Sequence, residues 1–336
     1  MIEKIVLPNG LTVLLQRLDS VMSASAGLWI KTGSRHEGAG EYGYAHFLEH
    51  MLFKGTAAYS APEIARMVDR VGGQHNGATN KEYTCYYINL IADHLPMALD
   101  LLAEMYYRPL LADADIEKEK GIVLEEIRMY EDSADEHALD LFMECMFAGH
   151  PLAHNILGTK ESIASLTPDS LRRFYGGAYA TSRAILSIAG NIDIAKTKTL
   201  ILERFGELRS GGPALGDSIP TAQRVYRRHI DRDIEQVHLC LGFEGISRHR
   251  DDRYAMYLFS TIFGGSSSSR LFQNIREKEG LCYSVFSFHS SYHDDGVFGV
   301  YCGTAPENFD RARELILDEC RLAMRQGITA DELSDA

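Results

Sequence analysis

The chain has 336 residues, about two domains at ordinary domain sizes, and its 45% hydrophobic content suits a sizeable core and not a disordered, collagenous or repeat-built chain. A formal net charge of −13 argues against a nucleic-acid binder, which depends on clustered Lys and Arg. No apolar run reaches the ~18 residues of a membrane span, Met1–Pro8 lacks the pattern of a secretory signal, and six scattered cysteines read as reduced thiols; the expectation is a cytoplasmic protein with no membrane partner.

From the start, Lys4–Leu7 and Leu11–Leu18 predict a hairpin around Pro8-Asn9-Gly10, and Ala24–Lys31 predicts a further strand. Residues 42–53 predict a helix with apolar residues packed between two histidines. Ser60 as N-cap, Pro62 in the first turn and Gly72-Gly73 as the stop predict the next one. Tyr, Thr and Ile over 82–91 predict a strand, followed by helices at 95–107 and, as one long Glu-rich run, 113–147. A helix near 168–176, a strand at 184–190 and a helix at 193–206 complete this half. Leu208–Pro220, rich in Gly, Ser and Pro, is the expected linker.

After the linker the pattern begins again. Ser25-Ala26-Gly27-Leu28-Trp29-Ile30 resembles Leu239-Cys240-Leu241-Gly242-Phe243, at an offset of about 214. Asp93-His94-Leu95-Pro96 pairs with Pro306-Glu307-Asn308-Phe309, and Leu111-Ala112-Asp113-Ala114-Asp115 with Ile328-Thr329-Ala330-Asp331-Glu332, at nearly the same spacing. The repeat predicts two domains, 1–210 and 220–336. A full second copy would run about 90 residues past Ala336, so the second domain is expected to be truncated at its C-terminal end.

The chemistry concentrates in His46-Phe47-Leu48-Glu49-His50. On a helix, histidines at i and i+4 share a face, and Glu49 projects near it. Two neutral imidazoles can bind one zinc ion while the carboxylate takes a proton from water attacking a carbonyl. His pairs at this spacing also occur by chance, and the neighbouring residues raise this one above that level. Gly43-Tyr44-Ala45 before the motif and Met51-Leu52-Phe53-Lys54-Gly55-Thr56 after it make Gly43–Thr56 resemble the signature of the insulinase/pitrilysin-type metallopeptidases, the inverzincins.

That resemblance implies a third zinc ligand 76 residues after the second histidine, at Glu126, within Glu119-Lys120-Gly121-Ile122-Val123-Leu124-Glu125-Glu126. It also implies that Glu119, two turns earlier on the same helix face, orients a ligand or the water. Glu125 adjoins Glu126 but points about 100° away, and it is read with Glu117 and Glu131 as solvated helix surface. Gly72–Thr84 resembles the family's strand beside the zinc helix, where the asparagine at position 76 and the strand edge hold substrate; Gly77 stands where Ala is usual. His75 reads as a strand histidine, and the pair His150 and His154 is discounted because Pro151 breaks the helix they would need.

In the second half, the stretch equivalent to the zinc helix, Tyr257–Phe263, has no ligand set. Gly264–Ser269 lacks the spacing of a phosphate loop. Ser268–Tyr283 resembles a family segment whose Arg and Tyr contact substrate, which implies that role for Arg276 and Tyr283. The resemblance spans nearly the whole chain and is nearest to the mitochondrial-processing-peptidase-like branch. It implies an α+β fold of two duplicated α/β domains, each a mostly antiparallel sheet covered by helices. It further implies one Zn2+ per chain, catalytic residues Glu49 and Glu119, peptide substrates that are unfolded or targeting-type segments, and a homodimer enclosing a chamber. The alternative is a catalytically silent scaffold or partner subunit, which the intact metal motif argues against.

Overall fold

The opening hairpin forms as its turn residues require. Gly10 takes φ +88°, and β1 (Glu3–Val6) pairs antiparallel with β2 (Thr12–Arg17), Ile5 facing Val13. Then come β3 (Ser23–Ile30), α1 (Tyr44–Leu52) and α2 (Ala61–Asp69). Pro62 sits in the first turn of α2, where Glu63 Oε2 accepts the Ser60 N–H at 2.8 Å. β4 (Gln74–Thr79), β5 (Thr84–Ile91) and α3 (Leu95–Tyr107) follow.

The long helix expected at 113–147 is two helices, α4 (Asp113–Asp132) and α5 (Ala134–Met146). Ser133 breaks it with extended backbone (φ −75°, ψ 105°), and its hydroxyl bonds Asp135 Oδ1 at 2.6 Å. Ser and Asp side chains offer the backbone alternatives to the helix, and apolar periodicity does not register them. The sequence also gave no sign of the short α6 (Lys160–Ser165), which precedes α7 (Pro168–Ala178), β6 (Ala184–Gly190) and α8 (Ile194–Phe205).

The remaining elements are β7 (Val237–Glu244), α9 (Arg253–Ser260), π-helical turns at Thr261–Gly265 and Phe272–Lys278, β8 (Cys282–Ser291), β9 (Gly296–Thr304), α10 (Phe309–Gln326) and α11 (Ala330–Asp335). This computed structural model describes residues 1–209 and 227–336, so the expected linker lies outside the described residues beyond Arg209.

The chain divides into two compact units, Met1–Arg128 with His154–Pro220, and Met129–Ala153 with Thr221–Ala336. The division differs from the expected 1–210 and 220–336 in one respect: residues 129–153 belong with the second unit. Their apolar side chains say why. Phe142, Met146, Phe147 and Leu152 form one buried cluster with Tyr292 and Val297, and Met146 and Phe142 pack on the bare backbone of Gly242.

In the first unit a six-stranded sheet runs β1-β2-β6-β3-β5-β4, antiparallel except for the β2–β6 pair. Alternation assigns its faces. Val13, Leu15, Ala26, Leu28, Leu186, Ile188, Tyr86 and Ile88 are buried, while Trp29, Tyr87 and Asn89 between them are less so. The helices supply the apolar partners, among them Phe47, Leu48 and Met51 of α1 and Leu99, Leu102 and Tyr106 of α3. In the second unit the sheet order is β7-β9-β8, antiparallel throughout. It repeats the β3-β5-β4 arrangement of the first: Ser23–Ile30 and Val237–Glu244 stand 214 positions apart, as do the starts of α3 at Leu95 and α10 at Phe309. Phe263, Ile275, Val285, Val300 and Ile316 lead its core. Among the described residues, no helix is long and apolar enough to cross a membrane.

Candidate metal centre

The helix that carries the motif is anchored at its start by backbone geometry. Gly43 precedes α1 at φ +90°, and a Cβ there would stand 2.4 Å from the Leu157 carbonyl oxygen. Gly43 has no side chain to cap the helix. The buried Glu37 does so instead, accepting the Gly43 N–H at 2.8 Å and the Ala45 N–H at 2.7 Å. Apolar Phe47, Leu48, Met51 and Leu52 face the core, which turns His46, Glu49 and His50 together onto the side flanked by β4 and α4.

His46 Nε2 lies 3.8 Å from Glu126 Oε1, and His50 Nε2 lies 3.9 Å from Glu126 Oε2. Donor atoms of His46, His50 and Glu126 all fall within 4.8 Å of one another, the one such group of three among the described residues. Ligands about 2.1 Å from a tetrahedral zinc ion stand about 3.4 Å apart, so the donor set fits zinc with a small contraction. Burial, followed by the His50 charge, pulls His46 down to about 4, which leaves it a neutral imidazole at neutral pH, the form that binds metal.

Glu119 holds the second imidazole. Its Oε1 bonds His50 Nδ1 at 2.9 Å, leaving Nε2 to face the metal position, and its Oε2 forms an ion pair with Lys54 Nζ at 2.6 Å. Burial alone would raise the Glu119 carboxyl, but the bonds from His50 and Lys54 outweigh it and hold the group below its ordinary range. The Glu119 hydrogen bond in turn raises His50. Burial raises Glu126 and Glu49 as well, Glu49 against the pull of its hydrogen bond to Thr79. Glu49 Oε2 accepts the Thr79 hydroxyl at 2.6 Å.

The other candidates fall as follows. Glu125 points to solvent and pairs with Arg128, its side chain 70% exposed. Asn76 lies on β4 beside Gly77, its Oδ1 accepting the Gly77 N–H at 2.9 Å. Alternation directs its side chain to the strand face opposite that of Gly77 and Thr79, toward a shallow pocket it shares with Gln74, Tyr87 and Asn89. His75 lies against Phe53, the rings tilted at 48° with centroids 5.5 Å apart. His150 faces Asp294 and His154 stacks on Tyr42, so neither joins the metal group. In the second unit, Arg276 and Tyr283 come together. The guanidinium lies 4.5 Å from the Phe272 ring centre and 4.9 Å from that of Tyr283. A register shift between Cys282 and Ser284 sets Tyr283 at a bulge, where it is 78% exposed.

Sequence reasoning missed Glu37, Lys54 and Thr79. Lys54 carried a usable signal, because it stands four residues after His50 where a helix would point it back over the same face. Thr79 carried none, since its contact with Glu49 exists only through the packing of β4 against α1.

The chain is similar to known proteins along its whole length. Residues 12–160 match the family described as insulinase (peptidase family M16), and residues 165–336 match the peptidase M16 inactive domain. The chain is 41% identical over its whole length to an uncharacterized zinc protease of Bacillus subtilis, covering 82% of that protein. It is 38% identical over 97% of its length to one of Mycobacterium tuberculosis, covering 75% of it. Among solved structures, it is similar to a peptidase M16 inactive domain from Pseudomonas fluorescens (TM-score 0.92, 23% identity, all of this chain and 82% of that one). It is also similar to a protease from Helicobacter pylori (TM-score 0.91, 25% identity, all of this chain and 83% of that one). The inactive-domain match covers the half whose α9 has no ligand set.

Proposed function

Because this chain belongs to the insulinase family, peptidase family M16, we propose that it is a zinc-dependent metalloendopeptidase cleaving unfolded peptides or targeting-type segments. The observation that carries the reading is the convergence of His46, His50 and Glu126 beside the Glu49 carboxylate. His46, His50 and Glu126 would hold one zinc ion, which when bound acts as a Lewis acid toward the scissile carbonyl and brings the ionisation of water near neutral pH. Glu49 accepts the proton of the attacking water and passes it to the leaving amine. Glu119 keeps His50 in the tautomer whose Nε2 is free to donate its lone pair.

β4 ends the six-stranded sheet, and its outer edge is where an extended peptide adds as a further strand, with Asn76 beside it. Arg276 and Tyr283 grip a substrate carbonyl through a guanidinium fork and a phenol hydroxyl. With metal motif and Arg/Tyr pair on one chain, the protein is self-sufficient, working as a processing-peptidase-like homodimer in the cytoplasm. The test is hydrolysis of an unstructured, quenched peptide mixture by zinc-loaded protein, with Glu49→Gln as control. Cleavage that disappears in the variant supports the reading. Cleavage that persists refutes the role of Glu49, and cleavage by neither protein moves the assignment to a silent partner subunit.

A further inference from the structure

We propose that Thr79 is a positioning residue for Glu49, deciding which carboxylate oxygen takes the proton. The proposal rests on the peptidase reading and extends it to the residues behind the base. Glu49 has two oxygens and a freely turning carboxylate, so a general base at this position needs something to hold it in one orientation. Thr79 does so at the end of β4: its hydroxyl donates to Oε2 at 2.6 Å. No hydrogen bond reaches Oε1 from the described residues, so that oxygen is the one left for water.

In this chain Gly77 lies against the same carboxylate. It shares the strand face of Thr79, and a Cβ there would stand 2.8 Å from both Oε1 and Cγ of Glu49, closer than real Cβ atoms come. The bare backbone lets the carboxylate lie against β4, within reach of the Thr79 hydroxyl. The strand itself does not need that hydroxyl. Thr79 pairs with Thr84 through the backbone, and a valine of the same shape would keep both the pairing and the β preference.

The experiment compares Thr79→Val with Thr79→Ser in the zinc-loaded full chain. Thr79→Val should lose about 10–100-fold in kcat with KM within about twofold and zinc content unchanged, because only the proton-transfer step is disturbed. Thr79→Ser, which restores the hydroxyl, should recover to within about threefold of the parent. A valine variant with full kcat, a serine variant no better than valine, or a valine variant that sheds its zinc would each overturn the proposal. A crystal structure of Thr79→Val gives the answer even where no peptide is cleaved. A Glu49 carboxylate turned away or split between two positions supports the role, and one in its parental place refutes it. The Glu49→Gln control decides the peptidase reading separately, so the two failures are distinguishable.

Discussion

Replacing Glu119 by Gln changes one atom and should cost metal affinity. The carboxylate is 2% exposed, bonds His50 Nδ1 at 2.9 Å and is neutralised by Lys54 at 2.6 Å. A hydrogen bond to a charged group contributes about 1.5–3 kcal/mol and a neutral one about 0.5–1.5, so the amide forfeits about 1–2 kcal/mol of the bond that orients His50. At 1.4 kcal/mol per tenfold, this is roughly a 5–30-fold weaker zinc site, overlapping the lower part of the about 10–100-fold range usual for residues behind metal ligands. Competition against a chromophoric chelator measures it directly. Glu117→Gln is the control, because Glu117 sits on the same helix with its side chain 58% exposed, paired with Lys120. A Glu119→Gln protein that binds zinc within twofold of the parent would show that the Glu119–His50 bond does not govern the site.

Three further outcomes are expected. Glu126→Gln should strip zinc on dialysis far more readily than Glu125→Gln, and metal content in the reverse order would shift the ligand assignment by one residue. Gly43→Ala should destabilise the protein by more than about 2 kcal/mol, because the residue sits at φ +90° and its Cβ would meet the Leu157 carbonyl; an unchanged Tm would contradict this. The last concerns acid. Arg270 forks onto Glu332 at 2.6 and 2.7 Å and is the leading cause holding it down to about 2, from the ordinary 4.5. A depressed carboxylate stabilises the fold above its unfolded pKa and loses that contribution as pH falls through its folded one. The Tm gap between parent and Glu332→Gln should therefore be constant above about pH 5 and narrow between about 4.5 and 2; a gap that widens on acidification would exclude the bridge as its source.

Much of this molecule follows from neighbours within a few residues. The placing of His46, Glu49 and His50 on one face needs only the helical repeat, and the ends of α2 need only Ser60, Pro62 and Gly72. The alternation in β3 and β5 already separates a core face from an outer one. On α4, Glu119 falls in the stripe of Ile116, Val123 and Ile127, and a carboxylate on an apolar stripe is a visible anomaly before any fold is known. The repeat at 214 residues was legible too, and the order β7-β9-β8 carries it into topology.

What the sequence could not decide depends on contacts between distant segments. Periodicity predicts one helix across 113–147, yet Ser133 breaks it and α5 packs its Phe142 and Met146 into the second unit. The parallel pairing of β2 with β6 joins strands more than 150 residues apart, and no local preference encodes it. The same holds at the metal position. Glu126 meets the histidines because α4 lies beside α1, and Thr79 meets Glu49 because β4 pairs with β5 in a register that turns its hydroxyl inward. Spacing along a helix or strand is a property of the backbone and is therefore written in the sequence. Which helix lies beside which strand is decided by the summed burial of the whole core, and that sum exists only in the folded chain.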